Sequence, residues 1–277
     1  LGAGLQMALY DVVGKALGVP VYRLLNLPRV RQWCPISWWN IDMPPDAFAA
    51  EAQEALARGY TSHKIKARPW WDVYEQVDAI GAVTPPHFRI DMDWNQMLIN
   101  AGNAAPVLTE LDKRERVAIY ESPIMQRDVE GLRQLRGKTT RPIALHFGNP
   151  PFPTVVRDEV CDGFVVGGGI ARVLEQGALA AAFDKPFWLQ MVGTGLTTTL
   201  SLHLGAVLPA AQWPSVNCLN IYTDDLLADP LTIQGGYVRV PDGPGLGIEV
   251  DEAALTRFKM EPPYELPKPR LLLSVHW

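Results

Sequence analysis

Ser62-His63-Lys64-Ile65-Lys66-Ala67 decides the reading of this chain, because it carries two amines on one face of an extended run. Side chains alternate along a strand, so Lys64 and Lys66 point one way while His63 and Ile65 point the other. Two further apolar runs end on polar trios, Asp93-Trp94-Asn95 and Glu121-Ser122-Pro123. Successive trios lie roughly 30 residues apart, the length of one βα unit. Two amines followed by two carboxylates on consecutive strand ends is how a barrel gathers a base and a cation around one substrate. Adjacent like charges disfavour the charged form, which suits one lysine to act as a general base near neutral pH.

Outward from these trios, strand and helix patterns alternate, which argues for a parallel sheet with helices outside it. The candidate strands cover residues 35–39, 62–67, 88–93, 116–121, 142–146, 163–166, 187–192 and 216–219. Eight strands closing on themselves are the economical arrangement of these runs. Helical stretches over 45–58, 72–83, 171–182 and 198–208 place apolar residues at i, i+3, i+4 spacing. Met43-Pro44-Pro45-Asp46 sets prolines in a first helical turn, where a missing N–H costs nothing.

Composition narrows the partners. The 277 residues suffice for one barrel-sized core. Hydrophobic content is 48%, mean hydropathy is near zero, and no apolar run approaches the roughly 18 residues of a membrane span. A net charge of −5, with lysine and arginine scattered, gives no general attraction to nucleic acid or anionic membranes. Cys34, Cys161 and Cys218 are widely spaced, cannot all pair and show no metal pattern, which favours reduced thiols in a cytoplasm. The first residues form no charged-then-apolar signal sequence.

The trios, in this order and with these gaps, resemble the enolase superfamily and, within it, the mandelate racemase/muconate-lactonizing group. The resemblance runs from Leu1 to about Phe258. Leu5-Gln6-Met7-Ala8-Leu9-Tyr10-Asp11-Val12-Val13-Gly14-Lys15-Ala16-Leu17-Gly18 resembles the family's helix leading into the barrel. Val240-Pro241-Asp242-Gly243-Pro244-Gly245-Leu246-Gly247 resembles its closing segment. The implied fold is α/β, a TIM-type (β/α) barrel of the enolase kind. Its parts are a helical lead-in over 1–32, the barrel over 33–223, and a segment over 224–277 that packs on the family's capping domain. On this resemblance the family's N-terminal capping domain is expected to be absent from this chain, whose first residues read as lying inside a helix. The proline-rich stretch 260–269 reads as extended.

The resemblance also implies chemistry. A divalent metal, magnesium, would be held by Asp93 and Glu121, and a proton α to a carboxylate would be abstracted from a hydroxy or sugar acid. Lys66 would be the base and Lys64 its neighbour at the substrate carboxylate. Arg68 continues the same face and suits a bidentate carboxylate clamp, and Asn95 follows the family's D-x-N. Reaction types in reach are dehydration, epimerisation and racemisation, by a homo-oligomer acting on a small carboxylate.

Two departures stand out. The register puts Phe147 in the place of the family's third ligand glutamate, with His146 beside it. His146 then reads as a substitute ligand, which would favour manganese or zinc, as a base, or as a polar strand-end residue. Nor do the ends of strands six and seven (164–169 and 188–193) carry the family's second acid/base. Two other functions therefore stand beside the metal enzyme. One is a barrel that binds a small ligand without turnover; the other is a Schiff-base lyase using Lys64 or Lys66. The tryptophans at 38, 39, 70, 71 and 94 wall a pocket or pack beneath a cap.

Overall fold

The computed structural model describes residues 2–260. It begins with α1 (Ala3–Leu17) and α2 (Val21–Leu24), then β1 (Trp33–Pro35), β2 (Trp38–Asn40), α3 (Pro45–Ala57) and β3 (Ser62–Lys66). Next come α4 (Val73–Val83), β4 (Arg89–Asp93), α5 (Ala101–Leu111), β5 (Val117–Glu121), α6 (Val129–Arg136) and β6 (Ile143–His146). α7 (Phe152–Arg157), β7 (Gly163–Val166), α8 (Ile170–Ala182), β8 (Phe187–Leu189) and α9 (Gly195–Val207) complete the alternation. β9 (Ile233–Gln234), β10 (Tyr237–Arg239) and α10 (Glu252–Phe258) follow. The tail expected over 260–269 lies, but for Met260, outside the described residues.

β2 to β8 form one seven-stranded parallel sheet in chain order. Parallel neighbours require crossovers, and the intervening helices supply them. The sheet curls until both edges meet one segment. Ser37 N–H donates to Ser215 O and Ser215 N–H to Pro35 O, while Val216 N–H donates to Leu189 O, each at 2.9 Å. The barrel is closed, but not by the strand expected over 216–219. Cys218 turns the chain with a left-handed φ of 55°, and Leu219–Ile221 wind into a short 3₁₀ helix. A left-handed non-glycine residue does not fit a strand.

The strand expected over 35–39 also divides. Trp33–Pro35 pairs antiparallel with Tyr237–Arg239 in a separate small sheet, and only Trp38–Asn40 runs beside β3. Ile36 donates to Gly236 O and Ser37 to Ser215 O, so adjacent N–H groups are drawn to different partners.

Burial on both faces explains why the strands read as apolar runs. Ile65, Ile90, Met92, Tyr120, Leu145 and Phe164 face the helices, whereas Ile119, Ala144, Val165, Trp188 and Val216 fill the barrel interior. Each fully buried side chain of this size stabilises the fold by about 1.5–3 kcal/mol. Local signals agree with the packing: Asp72 caps α4, accepting from the Tyr74 and Glu75 N–H groups at 3.0 Å. At Gly14 a Cβ would stand 2.7 Å from the Cα of Gly245, so only glycine lets α1 touch the closing segment. No helix among the described residues is long and apolar enough to cross a membrane.

The interior histidines give the fold an acid-side weakness. Burial pushes His63 down to about 3 and His203 down to about 4. An unfolded histidine titrates near 6.5, so below that pH the unfolded chain binds protons that the folded chain refuses. Stability is then lost as pH falls from about 6.5, by up to about 1.4 kcal/mol per pH unit for each such group. His63→Leu is expected to flatten the fall in urea midpoint between pH 7 and 5. An unchanged slope in that variant would remove His63 as a cause.

Candidate active site

β3, β4 and β5 set their ends side by side, with Lys66 opposite Asp93 and Asp93 opposite Glu121. The second pairing depends on a bulge. Ile90 pairs with Val117, but Asp91 pairs with Ile119, which leaves Ala118 as the extra residue. A constant register would have set Asp93 beside Tyr120, whose hydroxyl donates to Leu108 O on α5 at 3.0 Å, outside the barrel. The bulge thus puts both carboxylates on the inward face.

Each lysine meets its own carboxylate: Lys66 Nζ pairs with Asp93 Oδ2 and Lys64 Nζ with Glu121 Oε2. The Lys64 and Glu121 side chains are both 1% exposed, whereas that of Lys66 is 19% exposed. Lys64 Nζ also lies 3.8 Å from the centre of the Trp188 ring, a desolvated cation–π contact. Neither Lys64 Nζ nor either Glu121 oxygen has an aligned hydrogen-bond partner, so this pair is Coulombic in character. Burial pushes the Glu121 carboxyl up, yet Lys64 and His146 outweigh burial and hold it well below the usual carboxylate range. Asp91, one pleat deeper and opposite Lys64, is pushed up to about 6 by burial.

The remaining expected residues fall around this cluster. Asn95 donates its backbone N–H to Asp93 Oδ1 at 2.9 Å and its amide to Oδ2 at 3.3 Å. Arg68 is 8% exposed, and its guanidinium donates to Ala67 O, Asp93 O and Asn95 Oδ1. Its NH donors therefore brace the β4 loop. His146 faces inward with Nε2 3.0 Å from Glu121 Oε1 and a side chain 48% exposed. Phe147 turns outward, its ring centre 5.1 Å from that of Phe152 and 4.9 Å from that of Phe164. Strand alternation makes His146, not Phe147, the residue of β6 that meets the site.

Two neighbours were not legible as site residues. Trp188 sits mid-strand in an apolar run with nothing local to mark it. Cys218 is 4% exposed, lies near Lys66 and Lys64, and has its thiol pushed up to about 11 by burial. The tryptophans split. Trp38 is buried and donates to Glu51, and Trp94 is buried, whereas Trp70 and Trp71 both donate to Asp42 Oδ2 at 3.2 Å beside Arg68. Trp39 lies 6.0 Å from Lys66 Nζ.

The implied cation can be set against these donors. Asp93 and Glu121 are neighbouring, buried carboxylates, the donor type a hard divalent ion takes, although Lys66 already faces Asp93 and Lys64 and His146 face Glu121. No group of three His, Cys, Asp or Glu residues that could hold a metal occurs among the described residues. The pair fits an ion that takes two carboxylates from the protein and its other oxygens from ligand and water, a usual manner for magnesium.

The chain is similar to known proteins over most of its length. A sequence model for the family described as Enolase C-terminal domain-like matches residues 47–254. D-gluconate dehydratase from Thermoproteus tenax is 26% identical over 292 residues, covering 94% of this chain and 56% of that protein. D-galactonate dehydratase from Variovorax paradoxus is 27% identical over 289 residues, covering 94% of this chain and 74% of the other. The crystal structure of muconate cycloisomerase from Pseudomonas fluorescens superposes with a TM-score of 0.79 at 26% identity, over 94% of this chain and 74% of that one. The chain thus spans a little over half of the gluconate dehydratase it matches.

Proposed function

We propose, for a chain that belongs to the Enolase C-terminal domain-like family and to its mandelate racemase/muconate-lactonizing group, that the barrel mouth abstracts the proton α to the carboxylate of a small hydroxy or sugar acid. The observation that carries this reading is Lys66: of the two inward lysines it alone reaches solvent, and it does so at the edge of the Asp93–Glu121 pair. Lys66, once its ammonium has given up a proton to solvent, takes the α-proton as the neutral amine. Asp93, held by both donors of Asn95, fixes the amine at the mouth. Lys64, sealed between Glu121 and Trp188, acts behind the site instead of touching the ligand carboxylate. A divalent ion held by Asp93 and Glu121, magnesium by preference, would supply positive charge where the carboxylate oxygens gain negative charge.

Across the barrel, β7 and β8 present Val165 and Trp188, neither of which carries a proton. A two-base racemisation lacks its partner there, so dehydration, one-base epimerisation or lactone-type elimination fits better. His146, half exposed with its Nε2 3.0 Å from Glu121 Oε1, is a second proton carrier at the mouth. The sugar-acid dehydratases among the relatives support the same substrate class. The outward turn of Phe147 favours one other reading, ligand binding without turnover.

The test is solvent isotope exchange. In D₂O with magnesium, a panel of hydroxy and sugar acids including D-gluconate and D-galactonate is followed by proton NMR. Loss of the α-proton signal is expected for at least one acid. Binding without exchange across the panel would leave the non-catalytic reading in its place.

A further inference from the structure

Trp94 interrupts the trio that ends β4, and strand alternation turns its ring away from the inward Asp93 to pack in the layer of side chains beneath the helices. The ring is fully buried, yet its Nε1–H meets no acceptor among the described residues. A buried donor without a partner is rare, and leaving it so costs stability. Trp94 is also one wall of a cavity of about 290 Å³. Pro69 and Trp71 after β3, Tyr74 on α4, Leu98 after β4 and Val107 on α5 line it too. None of its lining residues belongs to the inward cluster of lysines and carboxylates.

Three of these walls are held in place. Trp71 donates its Nε1–H to Asp42 Oδ2 at 3.2 Å, and the Arg114 guanidinium lies 4.9 Å from the centre of the Tyr74 ring. The backbone N–H of Trp94 donates to Glu121 O at 3.0 Å. Walls fixed beforehand spare a ligand the cost of ordering them.

Size and chemistry narrow the occupant. A cavity of about 150 Å³ suffices for benzene, so this one has room for an aromatic ring with a substituent. Its lining includes no lysine, arginine or histidine, and its one carboxylate, Asp72, is engaged in capping α4. An acid therefore finds no cation here. Water suits these mostly apolar walls poorly as well, since a buried water makes about three hydrogen bonds.

We infer that this cavity binds a small uncharged aromatic molecule with one hydrogen-bond acceptor, an aryl ketone or ester in kind, which takes the Trp94 Nε1–H. Such a ligand also acts on the neighbouring loop. Trp94 lies between Asp93 and Asn95 in the chain, and Asp42, which holds Trp71, faces Arg68 at 3.7 Å. Arg68 in turn donates to Asn95 Oδ1 at 2.9 Å.

The whole chain, labelled with heavy nitrogen, is titrated with acetophenone, toluene and benzoate and followed by proton–nitrogen correlation NMR. Acetophenone should move the Trp94 indole signal downfield, with a Kd below about 1 mM, and the Asn95 side-chain amide signals should move with it. Trp94→Phe identifies the indole signal by its loss. Toluene has the ring without the acceptor and should bind about tenfold more weakly; benzoate should not bind. Val107→Phe should fill the cavity and abolish the acetophenone shift, while the signal of Trp33, on the separate small sheet, stays in place. An unmoved Trp94 signal, equal affinity for toluene, or undiminished binding to Val107→Phe would overturn the inference. Largest shifts at Trp39 or Trp70 would place the ring at the barrel mouth and overturn it as well. Asn95 signals that stay put would overturn the link to the loop. None of these readouts depends on turnover, so the proposed function stands or falls separately.

Discussion

Glu121→Gln is expected to lower the unfolding free energy by about 3–5 kcal/mol, although it changes side-chain volume hardly at all. The reason is the ammonium it strands. Lys64 is 1% exposed, so its Nζ sits away from water, and its other neighbours include the Trp188 face and Asp91. A buried ion pair contributes little net stability, because desolvation consumes most of the attraction; breaking one side leaves that penalty uncompensated. Asp91 gives Lys64 a second carboxylate, which favours the lower end of the range. Urea denaturation at pH 7 reads the loss. Removing both charges, as Lys64→Met with Glu121→Gln, should recover most of it. A single-variant loss below about 1 kcal/mol would mean that Lys64 finds water after all, and that the interior beneath the mouth is wet.

The second large effect is kinetic. Lys66→Ala should slow α-proton exchange by about 10²–10⁴-fold, the usual worth of a positioned general acid or base. The fold should survive, because Asp93 keeps both Asn95 donors and the lost side chain was partly in solvent already. Exchange at a pH where the native chain is active, measured with saturating acid and magnesium, separates loss of chemistry from loss of binding. A fall of less than tenfold would move the base to His146, the other exposed titratable group of the mouth.

The architecture was largely legible. Runs of apolar residues bounded by polar trios located the strands that carry Lys64, Lys66, Asp93 and Glu121. The helix expected over 45–58 forms as Pro45–Ala57, and that over 72–83 as Val73–Val83 with Asp72 as its cap. These signals are local: alternation and 3.6-residue periodicity are properties of neighbours in the chain, and burial on both faces of a parallel sheet reinforces them. The resemblance then supplied the order of the site residues along the barrel. At β6, where the resemblance matched Phe147 to the ligand position with His146 beside it, alternation gives the inward face to His146 and Phe147 packs outward.

By itself, then, the sequence determined where β3 to β8 run, in which order they lie, and which chemical groups end them. Tertiary structure alone decided how those groups meet. The bulge at Ile90–Asp91 that levels Asp93 with Glu121 leaves no mark in a run as uniform as Arg116-Val117-Ala118-Ile119. The assignment of Lys64 to Glu121 and Lys66 to Asp93 depends on depth within the barrel, which no pattern along one strand encodes. Closure at Ser215 and Val216 requires both sheet edges to arrive at the same place. Register, depth and closure are set by the summed free energy of pairings between distant segments, and a one-residue slip in any of them would turn these side chains to the other face.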